Sequence, residues 1–190
     1  MVPVDEALNA ALMAVRQAGV IVYATEGVLG LGCDPGCLSA VERILTIKQR
    51  DPAKGLILIA ADYSQLLPWV DDSAIAIEQR SAVFSRWPGP VTWLLPARTD
   101  VSRLLRGDFA TIAVRVTNHP QVVALCRQLG HPLVSTSANI GGEPAPASFA
   151  ELDPRVAAAV DYCLAGQTLG RQGPSTILRL DGVAIREGGA

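Results

Sequence analysis

Lys48 and Lys54 are the only lysines in this chain of 190 residues, and they bracket Arg50 in the segment Lys48-Gln-Arg-Asp-Pro-Ala-Lys54-Gly55. Every other basic residue is arginine. Lysine offers a compact point charge suited to polyphosphate oxygens, whereas arginine offers a planar fork for two oxygens at once. Two readings stand at this point: a phosphate site, or a solvated helix end, where cations are favoured by the helix dipole. Arg115 ends the otherwise apolar stretch Thr111-Ile-Ala-Val-Arg115, where a cation faces either a carboxylate ligand or a structural acid. Ser135-Thr-Ser-Ala-Asn139, ahead of Gly141-Gly142, either aims hydroxyls, an amide and backbone N–H groups at one ligand or makes an ordinary turn. Lys48, Arg50, Lys54 and Arg115 bring positive charge with no covalent nucleophile or histidine base beside them. That combination suits anion binding and charge stabilisation better than triad chemistry.

Several familiar sites are absent. The chain has no GxxxxGK[ST] phosphate loop, no GxSxG elbow and no HExxH helix. Gly27, Gly30 and Gly32 give a spacing that is not the dinucleotide fingerprint and reads better as tight packing. Cys33, Cys37, Cys126 and Cys163 form no CxxC pair, and His119 and His131 are the only histidines, so no protein-held metal is expected.

The elements that must position these residues follow from apolar periodicity. Ala7, Leu8, Ala11, Leu12 and Val15 predict a first helix, ended near Gly19. Residues 19–23 read as a buried strand running into a glycine-rich loop over 24–32. A second helix is predicted over 38–48, stopped by Asp51-Pro52, which places Lys48 and Arg50 at its C-terminal end. Further strands are expected at 56–60, 91–95, 111–116 and 133–136. Helical stretches are expected at 63–70, 74–86 and 120–129. Asp181-Gly182 joins two last strands, 175–180 and 183–186, as a hairpin. No repeat or linker interrupts the chain. The expectation is one α/β domain over residues 1–190, with three layers, a twisted mixed β-sheet and a concave basic cleft. Strand–helix alternation favours parallel pairing, and the terminal hairpin adds an antiparallel piece.

Composition narrows the class. With 49% hydrophobic, 18% charged and 5% aromatic residues and a formal net charge of −2, the chain reads as globular, with an aliphatic core and few stacking platforms. This argues against a nucleic-acid coat protein. No apolar run reaches the roughly 18 residues that span a bilayer, so no membrane role is expected. Asp5 and Glu6 stand where a signal peptide has basic residues, which predicts a cytoplasmic location and free thiols.

Taken in order, five segments resemble the YrdC-like family over nearly the whole chain. They are Thr25-Glu-Gly-Val-Leu-Gly-Leu-Gly32, Lys48-Gln-Arg50 with Lys54-Gly-Leu-Ile-Leu58, Trp87-Pro-Gly-Pro-Val-Thr92, Thr111-Ile-Ala-Val-Arg115 and Ser135-Thr-Ser-Ala-Asn139. The resemblance is to the short form, without the extra C-terminal domain of longer members. The chain departs from the usual pattern at Ala24, Gly27, Leu29, Gly141 and Ala147.

The resemblance implies condensation of L-threonine, bicarbonate or CO2, and ATP into threonylcarbamoyl-adenylate and pyrophosphate, a nucleotidyl transfer that serves modification of adenosine in tRNA. Mg²⁺ is implied only as the companion of ATP. On this reading Lys48 and Arg50 are catalytic. Lys48, Arg50, Lys54, Thr111, Asn139 and Arg186 lie on the ATP side, and Thr25, Arg115, Ser137 and Ser175 lie around threonine. Implied partners are proteins that transfer the threonylcarbamoyl group to tRNA, with RNA binding by this chain at most weak. Two other readings stand beside it. One is a double-stranded RNA or ribosome-binding module. The other is a carbamoyl-transfer module of the kind embedded in hydrogenase-maturation proteins, whose accompanying zinc-finger and acylphosphatase segments are missing here.

Overall fold

The computed structural model describes residues 4–188. Helix α1 (Val4–Arg16) leads into a β-hairpin of β1 (Ile21–Ala24) and β2 (Leu29–Gly32), followed by α2 (Leu38–Lys48) and β3 (Ile57–Ala60). Next come α3 (Ile77–Phe84), β4 (Val91–Pro96), α4 (Arg103–Arg106), β5 (Thr111–Val116), α5 (Pro120–Leu129) and β6 (Leu133–Ser137). The chain finishes with α6 (Pro154–Ala159), β7 (Tyr162–Leu164), β8 (Thr176–Arg179) and β9 (Ala184–Arg186). The strands form one nine-stranded mixed sheet in the order β7-β1-β2-β6-β3-β5-β4-β8-β9.

Strand alternation gives the sheet two covered faces. Val22, Leu58 and Val134 point to the side packed by Val41, Ile44 and Leu45 of α2. Their neighbours Ile21, Tyr23, Ile59 and Leu133 point to the other side, against Leu12 and Val15 of α1 and Val122 and Leu125 of α5. A period of two places successive residues on opposite faces, so these strands read as continuous apolar runs. Ile44 is fully buried in the first of these cores. Ile44→Val is expected to cost about 0.5–1.5 kcal/mol, seen as a lower urea midpoint with an unchanged slope.

Pairing departs from the expectation in one respect. Only β1–β7, β3–β5 and β4–β8 are parallel, and the other five neighbours are antiparallel. Part of this comes from residues 29–32, predicted as loop but found as β2. Glycines are depleted in strands, but here they are required. A Cβ on Gly32 would lie 2.5 Å from the Tyr23 ring and 2.7 Å from the Val134 carbonyl. β7 was not foreseen, and the helical stretches expected over 63–70 and 74–86 shorten to isolated 3₁₀ turns and α3.

Register locates the cleft. Ile59 pairs with Arg115, Ile57 pairs with Ala113 and Ser135, and Leu94 pairs with Ala113. Paired positions share a face, so these residues stand on the side that α1 and α5 cover only toward Tyr23, Ile59 and Leu133. Beyond that cover the face carries the small residues Gly30, Ala113, Ser135 and Ser137, and a cavity opens above them.

Candidate functional site

Helix α2 ends in a way that aims its basic residues. Gln49 takes a left-handed conformation, φ 50°, and Arg50 N–H donates to the Leu45 carbonyl at 2.9 Å, which reverses the chain. Arg50 thereby leaves the helix axis and lines the cavity, steadied by Nε donating to the Gly55 carbonyl at 3.1 Å. Asp51 caps the next turn, accepting from Ala53 N–H at 2.9 Å, and that turn carries the exposed Lys54 to the cavity wall.

Lys48 behaves differently. It is 2% exposed and is not among the lining residues. Its ammonium lies beneath the loop after β6, donating to the carbonyl of Ser137, to the Asn139 carbonyl at 2.9 Å and to Asn139 Oδ1 at 3.1 Å. Asn139 also turns away from the cavity, its Nδ2 donating to the carbonyls of Ile140 at 3.0 Å and Glu143 at 2.6 Å. Burial, reinforced by neighbouring Arg50, brings the Lys48 ammonium down to about 8.

Arg115 rises from β5 into the cavity and is 5% exposed. Glu26 is buried beside it, with Oε2 3.2 Å from Arg115 Nη1. Burial alone would raise the Glu26 carboxyl, but Arg115 and then Thr117, whose Oγ1 donates to Oε1 at 2.6 Å, hold it below the usual range. Of the two partners the sequence left open for Arg115, the structure shows the acid, Glu26.

The remaining wall comes from distant segments. Thr25 Oγ1 closes the tip of the β1–β2 hairpin, donating to the Val28 carbonyl at 2.7 Å. Ser175 Oγ lies 2.8 Å from Thr92 Oγ1, and Arg186 Nη2 donates to the Ser175 carbonyl at 2.9 Å. Burial lowers the Arg186 guanidinium, and the charges of Arg115 and Arg50 lower it further, a sign that three guanidiniums face one space. The segment before Ser175 is pinned over the hairpin, with Leu169 and Arg171 N–H both donating to the Glu26 carbonyl, at 3.0 and 3.2 Å. A Cβ on Gly27 would come 2.1 Å from the Gly173 carbonyl, so the departure at this position lets the segment approach.

The cavity measures about 740 Å³, within the range of roughly 300–1,000 Å³ common for small-ligand sites. Arg50, Lys54, Arg106, Arg115, Arg171, Arg179 and Arg186 line it, against only Glu26 and Asp181 of opposite sign. No histidine or cysteine lines it. Of the residues singled out in the sequence, Thr25, Arg50, Lys54, Thr111, Arg115, Ser137, Ser175 and Arg186 meet on its wall, while Lys48 and Asn139 stand behind it. Glu26, Thr92 and Thr117 were not assigned a role. Glu26 and Thr92 lie inside the recognised segments, yet only the packing shows what they touch. Among the described residues, no three His, Cys, Asp or Glu side chains group as metal ligands, and no helix is long and apolar enough to cross a membrane.

The chain belongs to the Sua5_yciO_yrdC family, whose model, described as telomere recombination, matches residues 13–188. It is 52% identical over 176 residues to the threonylcarbamoyl-AMP synthase of Serratia proteamaculans, covering 92% of this chain and 93% of that protein. It is 54% identical over 162 residues to the protein of the same name from Idiomarina loihiensis, covering 85% and 87%. Among solved structures, P. abyssi Sua5 complexed with L-threonine superposes with a TM-score of 0.85 at 28% identity. That match covers 99% of this chain, which spans 55% of that longer one.

Proposed function

We propose that this protein is a threonylcarbamoyl-AMP synthase that joins L-threonine, bicarbonate or CO2, and ATP, releasing pyrophosphate. The observation that carries the reading is the convergence of Arg50, Arg115 and Arg186 on a floor of small residues, with no histidine or cysteine among the lining side chains and both lining carboxylates held in ion pairs. Such a site holds anions and lets the substrates react with one another.

Arg115 binds the threonine carboxylate, and Thr25, Ser137 and Ser175 surround its hydroxyl and amine. Arg50, Lys54, Thr111 and Arg186 face ATP. Threonine's amine attacks the carbon of CO2 and loses a proton to water, and the carbamate oxygen then attacks the α-phosphorus of ATP as the bond to the pyrophosphate oxygen breaks. Arg50 and Lys54 neutralise the departing pyrophosphate; for the half-buried Arg50 the attraction is on the order of 4 kcal/mol at about 4 Å and an effective dielectric near 20, and for the exposed Lys54 solvent screening makes it smaller. Lys48 and Asn139 act from behind the wall, shaping the loop that presents Ser137. Mg²⁺ arrives bound to phosphate oxygens. The two lining carboxylates already have partners, Glu26 in Arg115 and Asp181 in Arg179 at 2.8 Å. The basic side chains lie within a concavity, which fits a nucleotide better than a duplex backbone.

Pyrophosphate release from ATP is the test. It is expected only when threonine and bicarbonate are both present, and release that ignores either one refutes the reading. Selectivity should be asymmetric. Serine, lacking only a methyl group, should lose about 1–3 kcal/mol, while valine, leaving pocket hydroxyls unpaired, should be rejected more strongly.

A further inference from the structure

We propose that Glu26 is a positioning residue that sets the direction of the Arg115 guanidinium, and that Thr117 holds Glu26 in place from behind. The inference rests on reading Arg115 as the residue that binds the substrate carboxylate. Among the described residues Arg115 donates no hydrogen bond, and its Nε is buried without a partner. Among the described residues its one ion-pair partner is Glu26, with Oε2 at 3.2 Å, a contact that is not aligned as a hydrogen bond. The guanidinium is therefore oriented and neutralised while its N–H donors stay unspent. That is the state a carboxylate receptor requires, because binding then costs no broken hydrogen bond inside the protein.

Glu26 can do this because it is fixed on three sides. Thr117 Oγ1 donates to Oε1 at 2.6 Å and also accepts from His119 N–H at 3.0 Å. The Glu26 carbonyl accepts from Leu169 and Arg171. The residue is 4% exposed and lines the cavity beside Arg115. Its charge also offsets one of three guanidiniums that would otherwise repel one another in a partly dry space.

The discriminating variant is Glu26→Gln. The amide oxygen can still accept from Thr117, but its NH2 then faces Arg115 Nη1, donor against donor, and turns the guanidinium away. Threonine affinity, measured calorimetrically, is expected to fall about tenfold or more, while the KM for ATP stays within about twofold. Thr117→Val, which frees Glu26 without removing its charge, is expected to give a smaller loss of the same kind. The effect of Glu26→Gln should vanish when Arg115 is already methionine, because the two residues act through one contact.

A folded Glu26→Gln protein with unchanged threonine affinity overturns the proposal, as does an equal loss for threonine and ATP, which marks a general structural role. If Glu26→Gln fails to fold, Thr117→Val decides, and unchanged threonine affinity in that variant overturns the proposal. If wild-type protein binds no threonine, the reading of the cavity falls and takes this inference with it. If only Arg115→Met loses threonine, the reading stands and the role of Glu26 is refuted.

Discussion

Arg115→Met is expected to lower kcat/KM for threonine by about a hundredfold to a thousandfold, roughly 3–4 kcal/mol of lost transition-state binding. The guanidinium is the one cation on β5 and sits at the centre of the open sheet face, paired in register with Ile59. No lining side chain on a neighbouring strand can take its place. The loss should appear in threonine binding, with ATP affinity much less affected. Stability should fall too, because methionine leaves Glu26 as a buried, uncompensated carboxylate, which costs about 3–5 kcal/mol.

The pH dependence separates these effects. In the wild type the folded carboxyl lies below its ordinary value of 4.5, so the pair contributes stability that is present above that value and lost as pH falls through the folded one. Arg115→Met removes this contribution. Arg115→Met/Glu26→Gln should recover much of the urea stability at neutral pH yet stay inactive. Recovery of activity in that double variant would refute the ligand-binding role of Arg115.

The second large effect concerns Lys48, whose ammonium holds the Ser137 and Asn139 carbonyls without lining the cavity. Lys48→Met keeps the aliphatic stem and removes the donors. Turnover should fall about a hundredfold as the loop shifts, with the KM for threonine rising more than that for ATP, because Ser137 moves with it. Lys48→Arg should not restore it, since a planar fork cannot replace a point charge that meets convergent oxygens. A variant with wild-type turnover would remove Lys48 from the mechanism.

Its titration gives an independent check. Between about 8 and 10.5 the unfolded chain keeps a proton that the folded chain has released, so stability rises with pH through that window. Lys48→Met lacks this gain. The unfolding free energy of the wild type minus that of the variant should therefore grow by roughly 3 kcal/mol across it. Taking the difference cancels the opposing trend from buried Tyr23 and Cys33, whose protons burial holds tightly.

Much of the architecture was legible in advance where one physical cause acted alone. α2 and α5 match the predicted bounds because apolar spacing, a stop at Asp51-Pro52 and Gly130 at the cap agree with one another. β5 is likewise found over Thr111–Val116 as read. β2 was not legible, since Gly30 and Gly32 are poor strand formers whose place is set by the Tyr23 ring on the neighbouring strand. β7 is three residues long, too short to show alternation.

The sequence by itself determined the chemical inventory: two lysines confined to one short segment, arginine as every other cation, and small hydroxyl residues at strand ends. Composition and local spacing carry that information. Tertiary structure decided which of those residues face one another. Lys48 and Arg50 are two positions apart, yet a left-handed turn at Gln49 sends one under a loop and the other into the cavity. Glu26 and Arg115 are far apart in the chain and become partners only because β1, β2, β6, β3 and β5 lie side by side. Long-range pairing of this kind depends on sheet order, and no local pattern of residues encodes it.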